Sequence, residues 1–189
     1  MWWNLKKIKI LVISSIIIIL LVPVSFVIYY KFVSKSIKLK SSVILTDDIE
    51  ADSIVVFKSE RRLVLMENGK TLKEYHISLG DEPVGHKEQE GDEKTPEGLY
   101  KIDYRITNTK YHYSLHISYP NSDDILHAAG LGVSPGGDIT IHGCPENMSY
   151  LEDYYINNDW TDGCIALSNN DIKEVAGAVP DGTPIFINP

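Results

Sequence analysis

A long apolar run between Ile10 and Tyr30 constrains this chain more than any other feature. It exceeds the roughly 7–15 residues of a signal-peptide core and reaches the about 20 residues that a helix needs to cross a bilayer. Three lysines precede it, and Tyr29 and Lys31 at its far end are typical of a membrane interface. We therefore predict a transmembrane anchor over residues 1–33, which leaves the folded domain to the residues after it.

The charge around this segment predicts its orientation and what it carries. A basic cluster ahead of the first span usually stays in the cytoplasm. We therefore expect a single-pass protein of the cytoplasmic membrane, with its domain on the periplasmic or cell-wall side. Residues 34–51 are polar, first lysine-rich and then acidic, which is typical of a tether. Residues 52–189 then have a length that suits one domain with one core.

Composition bears on the partners of the domain and on its cross-links. The formal net charge is −8, and no basic stripe with interleaved aromatic residues is present, so nucleic acid is excluded as a partner. Cys144 and Cys164 are the only two cysteines, fewer than a small secreted domain held by disulfides would carry. Whether these two form a disulfide stays open, because sequence alone does not fix their geometry.

Short strand patterns separated by turn residues run through the domain. Asn68-Gly69 between the strand candidates Arg62–Glu67 and Thr71–Leu79 is a strong hairpin signal. A loop rich in glycine and proline is predicted from Gly80 to Gly98. Short helices are predicted after the possible caps Ser122 and Ser168, and near Met148. The pattern predicts a mainly β fold, a mixed β-sandwich with two or three short helices, preceded by the transmembrane helix.

A cysteine and a histidine, each next to a glycine, suggest a nucleophilic thiol with an imidazole base. A thiol is mostly protonated at neutral pH, and an imidazole such as that of His142 would raise the thiolate fraction of Cys164. The Gly143 carbonyl could orient that ring, and Gly163 would allow a sharp turn whose amides could bind an oxyanion. The residues alone leave a second interpretation equally open, namely a buried structural cysteine beside a histidine at the end of a strand.

Three sequence motifs, which follow one another along the chain, favour the catalytic interpretation of Cys164 and His142. Each motif alone is a weak signal. The motifs are Gly80 with Gly91–Tyr100, Ser134–Gly143, and Thr161–Ile165. Together, over about residues 52–188, they resemble the L,D-transpeptidase catalytic domain (the YkuD family) of bacterial cell-wall enzymes. The resemblance implies the β-sandwich of that family.

The resemblance also implies a role for each matching residue. Cys164 matches the nucleophile, His142 the general base, and Gly143 the residue whose carbonyl orients the base. Asp162 and Gly163, with Thr161 before them, match the loop that binds the oxyanion and the substrate. No metal or organic cofactor is implied.

Two positions depart from the family pattern. The family commonly has Ser-His-Gly-Cys, with an arginine two residues after the cysteine. Here Asp162 replaces the histidine and Ala166 occupies the place of the arginine. The contact to a substrate carboxylate, and the choice between cross-linking and cleavage, therefore stay open.

The activity implied is acyl transfer on peptidoglycan stem peptides through a thioester on Cys164, by transpeptidation or by cleavage. The partners would be stem peptides, an envelope protein attached to the wall, and the membrane through the anchor. One alternative is an inactive wall-binding module, suggested by the missing arginine. Another is a thiol-redox protein using Cys144 and Cys164, although the usual C-x-x-C arrangement is absent.

The remaining histidines include His112 and His116, which share the parity of a possible strand, and His127. A zinc site would need tighter ligand spacing or a clear acidic partner. We therefore predict no metal site, and place these histidines on a groove wall or on the surface.

Overall fold

The computed structural model describes the backbone of residues 49–189 and the side chains in that range except those of residues 108 and 109. The predicted anchor (1–33) and nearly all of the predicted linker (34–51) lie outside the described residues. Within the described range, the structure contains no helix that is both long enough and apolar enough to span a bilayer.

The described residues form a mainly β domain with three α-helices and one 3-10 helix. The strands are β1 (Ser53–Phe57), β2 (Arg62–Glu67), β3 (Lys70–His76), β4 (Gly98–Thr109), β5 (His112–Ile117), β6 (Thr140–His142), β7 (Ile165–Ala166) and β8 (Pro184–Asn188). The helices are α1 (Ser122–Leu131), the 3-10 helix (Glu146–Leu151), α2 (Glu152–Asn157) and α3 (Asn169–Ala178). The mainly β fold with three short helices agrees with the prediction.

All eight strands belong to one sheet, in the order β3-β2-β1-β8-β4-β5-β6-β7. The β1–β8 and β6–β7 pairs are parallel and the other pairs are antiparallel, so the sheet is mixed. An isolated bridge between Ser78, just beyond β3, and Ala166 in β7 connects the two outer strands. The sheet therefore curls until its edges meet.

The predicted mixed β-sandwich is more closely described as one curled sheet. The reason lies in β4, which pairs with β8 from Gly98 to Lys101 and with β5 from Ile102 onward. A register shift between Ile102 and Tyr104 marks the change of partner, and such bulges bend a strand and increase its twist. One long bent strand thus joins both halves into a single sheet.

Local signals placed several elements correctly. Asn68 and Gly69 both have positive φ angles, as a tight hairpin turn requires, and they connect β2 to β3. The Ser168 side chain accepts a hydrogen bond from the Asp171 amide and caps α3, as expected. The cap of α1 is Asn121 rather than Ser122, since Asn121 and Asp124 form a complete capping box.

Packing of the core determines which face of the sheet is buried and which face carries polar side chains. Leu115, Ile141 and Ile165 are consecutive cross-strand partners on β5, β6 and β7, and all three are fully buried. Because side chains alternate along a strand, the residues before and after each of them point to the opposite side. Burial of this apolar row therefore determines the orientation of the neighbouring polar residues.

Buried lysines hold the long loop between β3 and β4. The Lys58 ammonium donates to the carbonyls of Gly85 and Thr95, at 2.6 and 2.7 Å, and to the Glu97 carboxylate at 2.9 Å. Burial lowers the pKa of Lys58, and the ion pair with Glu97 opposes that shift. Lys87, also buried, donates to Asp92 at 2.7 Å. The loop is thus fixed from within, which polar composition alone does not indicate.

Three main-chain segments cross with almost no space between them. A Cβ atom on Gly80 would lie 1.9 Å from the Glu93 carbonyl oxygen and 3.1 Å from the Gly163 Cα. A Cβ on Gly163 would lie 2.6 Å from the Lys94 carbonyl oxygen, and Gly163 also has a φ of +122°. Only glycine fits at both positions. We refer to this contact of Gly80, Glu93, Lys94 and Gly163 as the glycine crossing.

We expect Gly80→Ala to lower the free energy of unfolding by about 2–3 kcal/mol, because the added methyl group meets backbone that cannot yield. Gly177→Ala in α3 is the matched control, since a Cβ there meets nothing within 4 Å and alanine favours the helix by up to about 1 kcal/mol. Urea unfolding followed by tryptophan fluorescence measures both changes. Equal stability of the two variants would contradict the steric role of the crossing.

Candidate active site

The parallel pairing of β6 and β7 places the cysteine beside β6. Ile141 pairs with Ile165 and His142 with Ala166, so Cys164 continues the register next to Thr140. The Thr140 amide donates to the Cys164 Sγ at 3.4 Å, and the Thr140 hydroxyl lies 3.7 Å from it. Thr140 and His142 are two positions apart on β6 and therefore face the same way. Cys164 and His142 thus lie on one side of the sheet.

This side, which we call the active-site face, carries His116, Thr140, His142 and Cys164, opposite the buried apolar row. The Cys164 thiol donates to the Asp138 carbonyl at 3.7 Å. Its hydrogen bonds among the described residues thus run to Thr140 and Asp138 rather than to His142. The thiol is held in place by β6 and by the turn before it.

The resting thiol is protonated. Burial raises the pKa of Cys164 above its ordinary value, and the two Thr140 hydrogen bonds oppose this rise without cancelling it. The negative charge of Asp162 raises the pKa further, while Lys87 lowers it. Sequence reasoning expected a site that stabilises the thiolate at rest. The structure instead keeps the thiol protonated at rest, so attack by this sulfur would need a proton acceptor nearby.

His142 has the form that such an acceptor needs. Its Nδ1 lies 2.7 Å from the Gly143 carbonyl oxygen. A carbonyl only accepts, so this nitrogen carries the proton and Nε2 presents a lone pair. Burial lowers the pKa of His142 to about 4, and the Gly143 carbonyl only partly offsets that shift. The ring is therefore neutral at pH 7, and the Gly143 carbonyl fixes its orientation.

Aromatic rings cover His142. The centroid of the Tyr111 ring lies 4.5 Å from that of His142, and the Trp160 ring meets it edge-on at 5.6 Å. Tyr155 in α2 packs on Trp160 at 4.8 Å. His142 is only 4% exposed as a result. Nothing in the sequence indicated the role of Tyr111, because its position depends on the β4–β5 turn.

Gly143 is required by its surroundings. A Cβ here would lie 2.5 Å from the Asn169 Oδ1 and 3.0 Å from the Tyr111 carbonyl oxygen. The Asn169 Oδ1 also accepts a hydrogen bond from the Cys144 amide at 2.8 Å. Asn169 thus fixes the backbone that orients His142. The sequence shows it only as the start of α3, so no signal in the pattern revealed this role.

The loop before the cysteine is braced from inside. The Thr161 hydroxyl donates to the Cys164 carbonyl at 2.7 Å and accepts from the Gly163 amide at 3.2 Å. Thr161 is buried, and its side chain braces the loop from within. The Gly163 amide is engaged within the loop as well. The amides of Asp162 and Cys164 are the better candidates for an oxyanion site.

Ala166 occupies the position that carries arginine in the family pattern, and this position is enclosed by neighbouring residues. Ala166 is fully buried, and its amide and carbonyl form both hydrogen bonds of the bridge to Ser78, at 2.8 and 2.9 Å. This residue belongs to the seam where the curled sheet meets itself. The absent arginine is therefore consistent with the local packing.

Both cysteines are free thiols. Cys144 is buried and its Sγ lies 3.8 Å from the carbonyl oxygen of Leu167, three positions beyond Cys164. Burial raises the pKa of Cys144 to about 11, which keeps this thiol unreactive. These surroundings give no support to the redox alternative.

The other histidines have separate surroundings. His116 pairs with Asp103, His127 pairs with Glu88, and the Nε2 of His112 is buried without a hydrogen-bond partner. Among the described residues, no three histidine, cysteine, aspartate or glutamate side chains converge to hold a metal ion.

Comparison with known proteins places this site in a family. The model of the L,D-transpeptidase catalytic domain (YkuD) matches residues 51–187, and the chain belongs to this family. L,D-transpeptidases act on peptidoglycan stem peptides. The match spans the strands, the glycine crossing and the loop that carries Cys164.

Individual relatives support the same assignment. The chain is 29% identical over 141 residues to the protein named Putative L,D-transpeptidase YafK from Escherichia coli K12, with 69% of this chain and 50% of that protein covered. It is 31% identical to the helical cell shape determining protein Pgp2 from Campylobacter jejuni (TM-score 0.56, covering 75% of this chain and 48% of the other). Bd1075 from Bdellovibrio bacteriovorus, at 24% identity, shares the fold (TM-score 0.52, covering 78% and 51%). The chain thus spans about half the length of these relatives.

We expect His142 to make the domain sensitive to acid. Its pKa is about 4 when folded and near 6.5 when unfolded, so the unfolded chain binds more protons between these values. Stability should therefore be complete above about pH 6.5 and fall as the pH drops toward 4, by up to about 3 kcal/mol. The variant His142→Gln, which keeps every carboxylate, should lack this part of the pH dependence. Urea unfolding of both chains between pH 4 and 8 tests the difference, and identical slopes would contradict it.

Proposed function

We propose that this protein is a cysteine-dependent acyltransferase or hydrolase of peptidoglycan stem peptides, which acts through a thioester on Cys164. One observation carries the proposal most directly: Cys164 and a neutral His142, oriented by the Gly143 carbonyl, share the active-site face beside a glycine-bearing loop. The family supplies the substrate class. The cysteine as nucleophile and the thioester are our extension of that assignment.

The first half-reaction follows from the ionisation of the pair. The thiol is protonated and the imidazole is neutral, so the proton moves to the His142 Nε2 as sulfur bonds to the carbonyl carbon of the third stem residue, at an L-centre. The amides of Asp162 and Cys164 stabilise the oxyanion. The C–N bond then breaks, and the proton on His142 passes to the departing amine, which is the terminal D-amino acid or an attached group.

The second half-reaction determines the outcome. An amine of another stem peptide that attacks the thioester forms a cross-link, whereas water trims the stem or releases an attached envelope protein. We propose that the domain works outside the cytoplasmic membrane, tethered by residues 1–51, because its substrate class lies there. The named role of Pgp2 in cell shape suggests a role in wall architecture for this chain too.

We expect a carbapenem, which mimics an acyl donor, to add its mass to the intact protein through Cys164. Cys164→Ala should remove the adduct entirely, whereas Cys144→Ala should retain it, because the Cys144 thiol is buried and its pKa is about 11. His142→Ala should slow adduct formation by about 10²–10⁴-fold, the usual contribution of a general base. Intact mass spectrometry over time measures all four chains.

The same variants test the inactive-module alternative. A wild-type chain that acquires no adduct and leaves purified wall material unchanged would refute the proposed activity. An adduct that survives in Cys164→Ala but not in Cys144→Ala would identify Cys144 as the reacting thiol and refute the assignment of Cys164.

A further inference from the structure

The cover of His142 depends on a tryptophan whose own polar group makes no contact. The Trp160 ring meets the His142 ring edge-on, with centroids 5.6 Å apart, and Tyr155 packs on Trp160 at 4.8 Å. The indole N–H of Trp160 is buried and has no hydrogen-bond partner among the described residues. A buried donor without a partner is unfavourable. Contacts elsewhere must therefore keep this ring in position.

The backbone at Trp160 is clamped to the segment after β3. The amides of Trp160 and Thr161 both donate to the Leu79 carbonyl, at 3.1 and 3.2 Å. In return, the Leu79 amide donates to the Asp159 Oδ1 at 2.9 Å. Both polar groups of Leu79 thus bind the short segment that carries the tryptophan. Asp159 contributes a side chain to this clamp and the other groups are main chain, so the clamp depends on where the Asp159 carboxylate is held.

Arg61, in the turn between β1 and β2, holds that carboxylate. Its Nε lies 3.1 Å from each carboxylate oxygen of Asp159, and one terminal nitrogen lies 2.6 Å from the Oδ2. The other terminal nitrogen donates to the Lys58 carbonyl. The side chains of Arg61 and Asp159 are 31% and 18% exposed, so the pair is partly shielded from water. Bidentate pairs of this kind are among the strong hydrogen-bonded contacts in proteins.

Two features indicate that the side chain of Arg61 matters at this position. Arg61 has a φ of +49°, in the left-handed region that favours glycine and asparagine. A cavity of about 360 Å³ lies beside the ion pair and is lined by Asn157 and Asn158 among others. At this cavity the segment before Trp160 is not packed against the domain, and the ion pair connects the two.

We propose that Arg61 and Asp159 are positioning residues for the reaction: their ion pair holds Trp160 against His142 and so keeps water from the imidazole that accepts the Cys164 proton. This inference rests on the proposed function and identifies what keeps its base covered. Both residues act through Trp160 rather than on the reacting atoms. Loss of the pair lets the tryptophan move and water reach the ring, which stabilises the protonated imidazole. A protonated ring accepts no proton from the thiol.

The other titratable groups around His142 remain in place when this pair is removed. The charge of Lys110 lowers the pKa of His142, whereas Asn169 of α3 carries no charge. The titratable side chains on the remaining elements around the ring are Tyr111 in the β4–β5 turn, His112 and His116 in β5, Glu152 and Tyr155 in α2, and Asp162 and Cys164 in the cysteine loop. None of them is altered in the variants that test the pair.

NMR titration of the full chain in detergent, with carbon-13-labelled histidine, measures the pKa of His142 directly. The His142 signal is identified by its absence in His142→Gln. Burial lowers the pKa of His142 to about 4, so we expect the wild-type ring to stay neutral down to about pH 5. Arg61→Gln and Asp159→Ala should both raise this pKa part of the way to its ordinary value of 6.5.

The two variants together exclude a direct electrostatic effect. Loss of the positive charge of Arg61 alone would raise the pKa of His142, whereas loss of the negative charge of Asp159 would lower it. Uncovering the ring raises it in both variants. In a Trp160→Ala background, where the cover is already absent, Arg61→Gln should add little further change. Fully additive changes would show that Arg61 acts without Trp160 and would refute the proposal.

Acylation by a carbapenem gives the functional readout on the same chains. Intact mass spectrometry measures the acylation rate of each chain at pH 5 and at pH 7.5, and the ratio cancels any general loss of activity. We expect Arg61→Gln and Asp159→Ala to react at least ~5-fold more slowly at the lower pH, because part of His142 is then protonated. The wild type should differ by less than ~2-fold between the two conditions, since its His142 stays neutral.

Arg105→Gln is the matched control. The Arg105 Nε lies 2.9 Å from the Asp181 Oδ1, and its guanidinium also donates to the carbonyls of Ala176 and Val179 near the end of α3. This variant loses the same kind of contacts away from the segment before Trp160, so its titration and its rate ratio should equal those of the wild type. If Arg61→Gln does not fold, as judged by thermal unfolding, Arg61→Lys keeps the charge without the bidentate contact and decides the question by the same readouts.

The outcomes separate the two proposals. A wild-type chain that is never acylated would refute the proposed function, while the titration would still decide whether the ion pair holds Trp160 over His142. If Arg61→Gln or Asp159→Ala folds and His142 titrates as in the wild type, the positioning role is refuted. An upward change in both variants, absent in Arg105→Gln and not additive with Trp160→Ala, would establish it.

Discussion

The close passage of main chain at the glycine crossing is the constraint on which the site depends. The segment after β3, the loop before β4 and the cysteine loop meet where a single methyl group would overlap a carbonyl oxygen. Ile77 and Leu79 anchor the segment after β3 in the core, and the buried Lys58 and Lys87 hold the loop before β4. Main-chain contact joins both segments to the cysteine loop, and it positions the turn at Gly163 directly before Cys164. The crossing also explains why three short glycine-bearing stretches, far apart in the chain, are found together.

Burial explains both the shape of the site and its resting ionisation. The row formed by Leu115, Ile141 and Ile165 fills the core, and alternation along the strands leaves the active-site face to polar residues. The same low-polarity surroundings raise the pKa of Cys164 and lower that of His142, because each charged form loses hydration. The resting pair is therefore neutral, and the function proposed above requires charge to separate only during attack on a substrate. Such a thiol is protected from reaction with solutes that the site does not bind.

The sequence predicted what depends on local chemistry. The Asn68-Gly69 hairpin, the Ser168 cap and the loop from Gly80 to Gly98 all follow from neighbouring residues, and the motifs identified the family. It did not predict the closure of the sheet, since the bend in β4 and the bridge to Ala166 depend on distant pairings. Thr161 was assigned toward the substrate, but its hydroxyl braces the loop. Tyr111 and Asn169 were missed because only the folded chain brings them to His142 and Gly143.

The register of four strands also makes the two ends of the active-site face different. At one end His142 is enclosed by aromatic rings, and Ala166 closes the sheet where the family pattern has an arginine. At the other end the β4 bulge places Asp103 against His116, beside the exposed Tyr104. Burial keeps His142 neutral beside the thiol, because the charged imidazolium would lose its hydration. A neutral imidazole is already in the form that accepts a proton, so the closed end of this face is where the proposed proton transfer from Cys164 would take place.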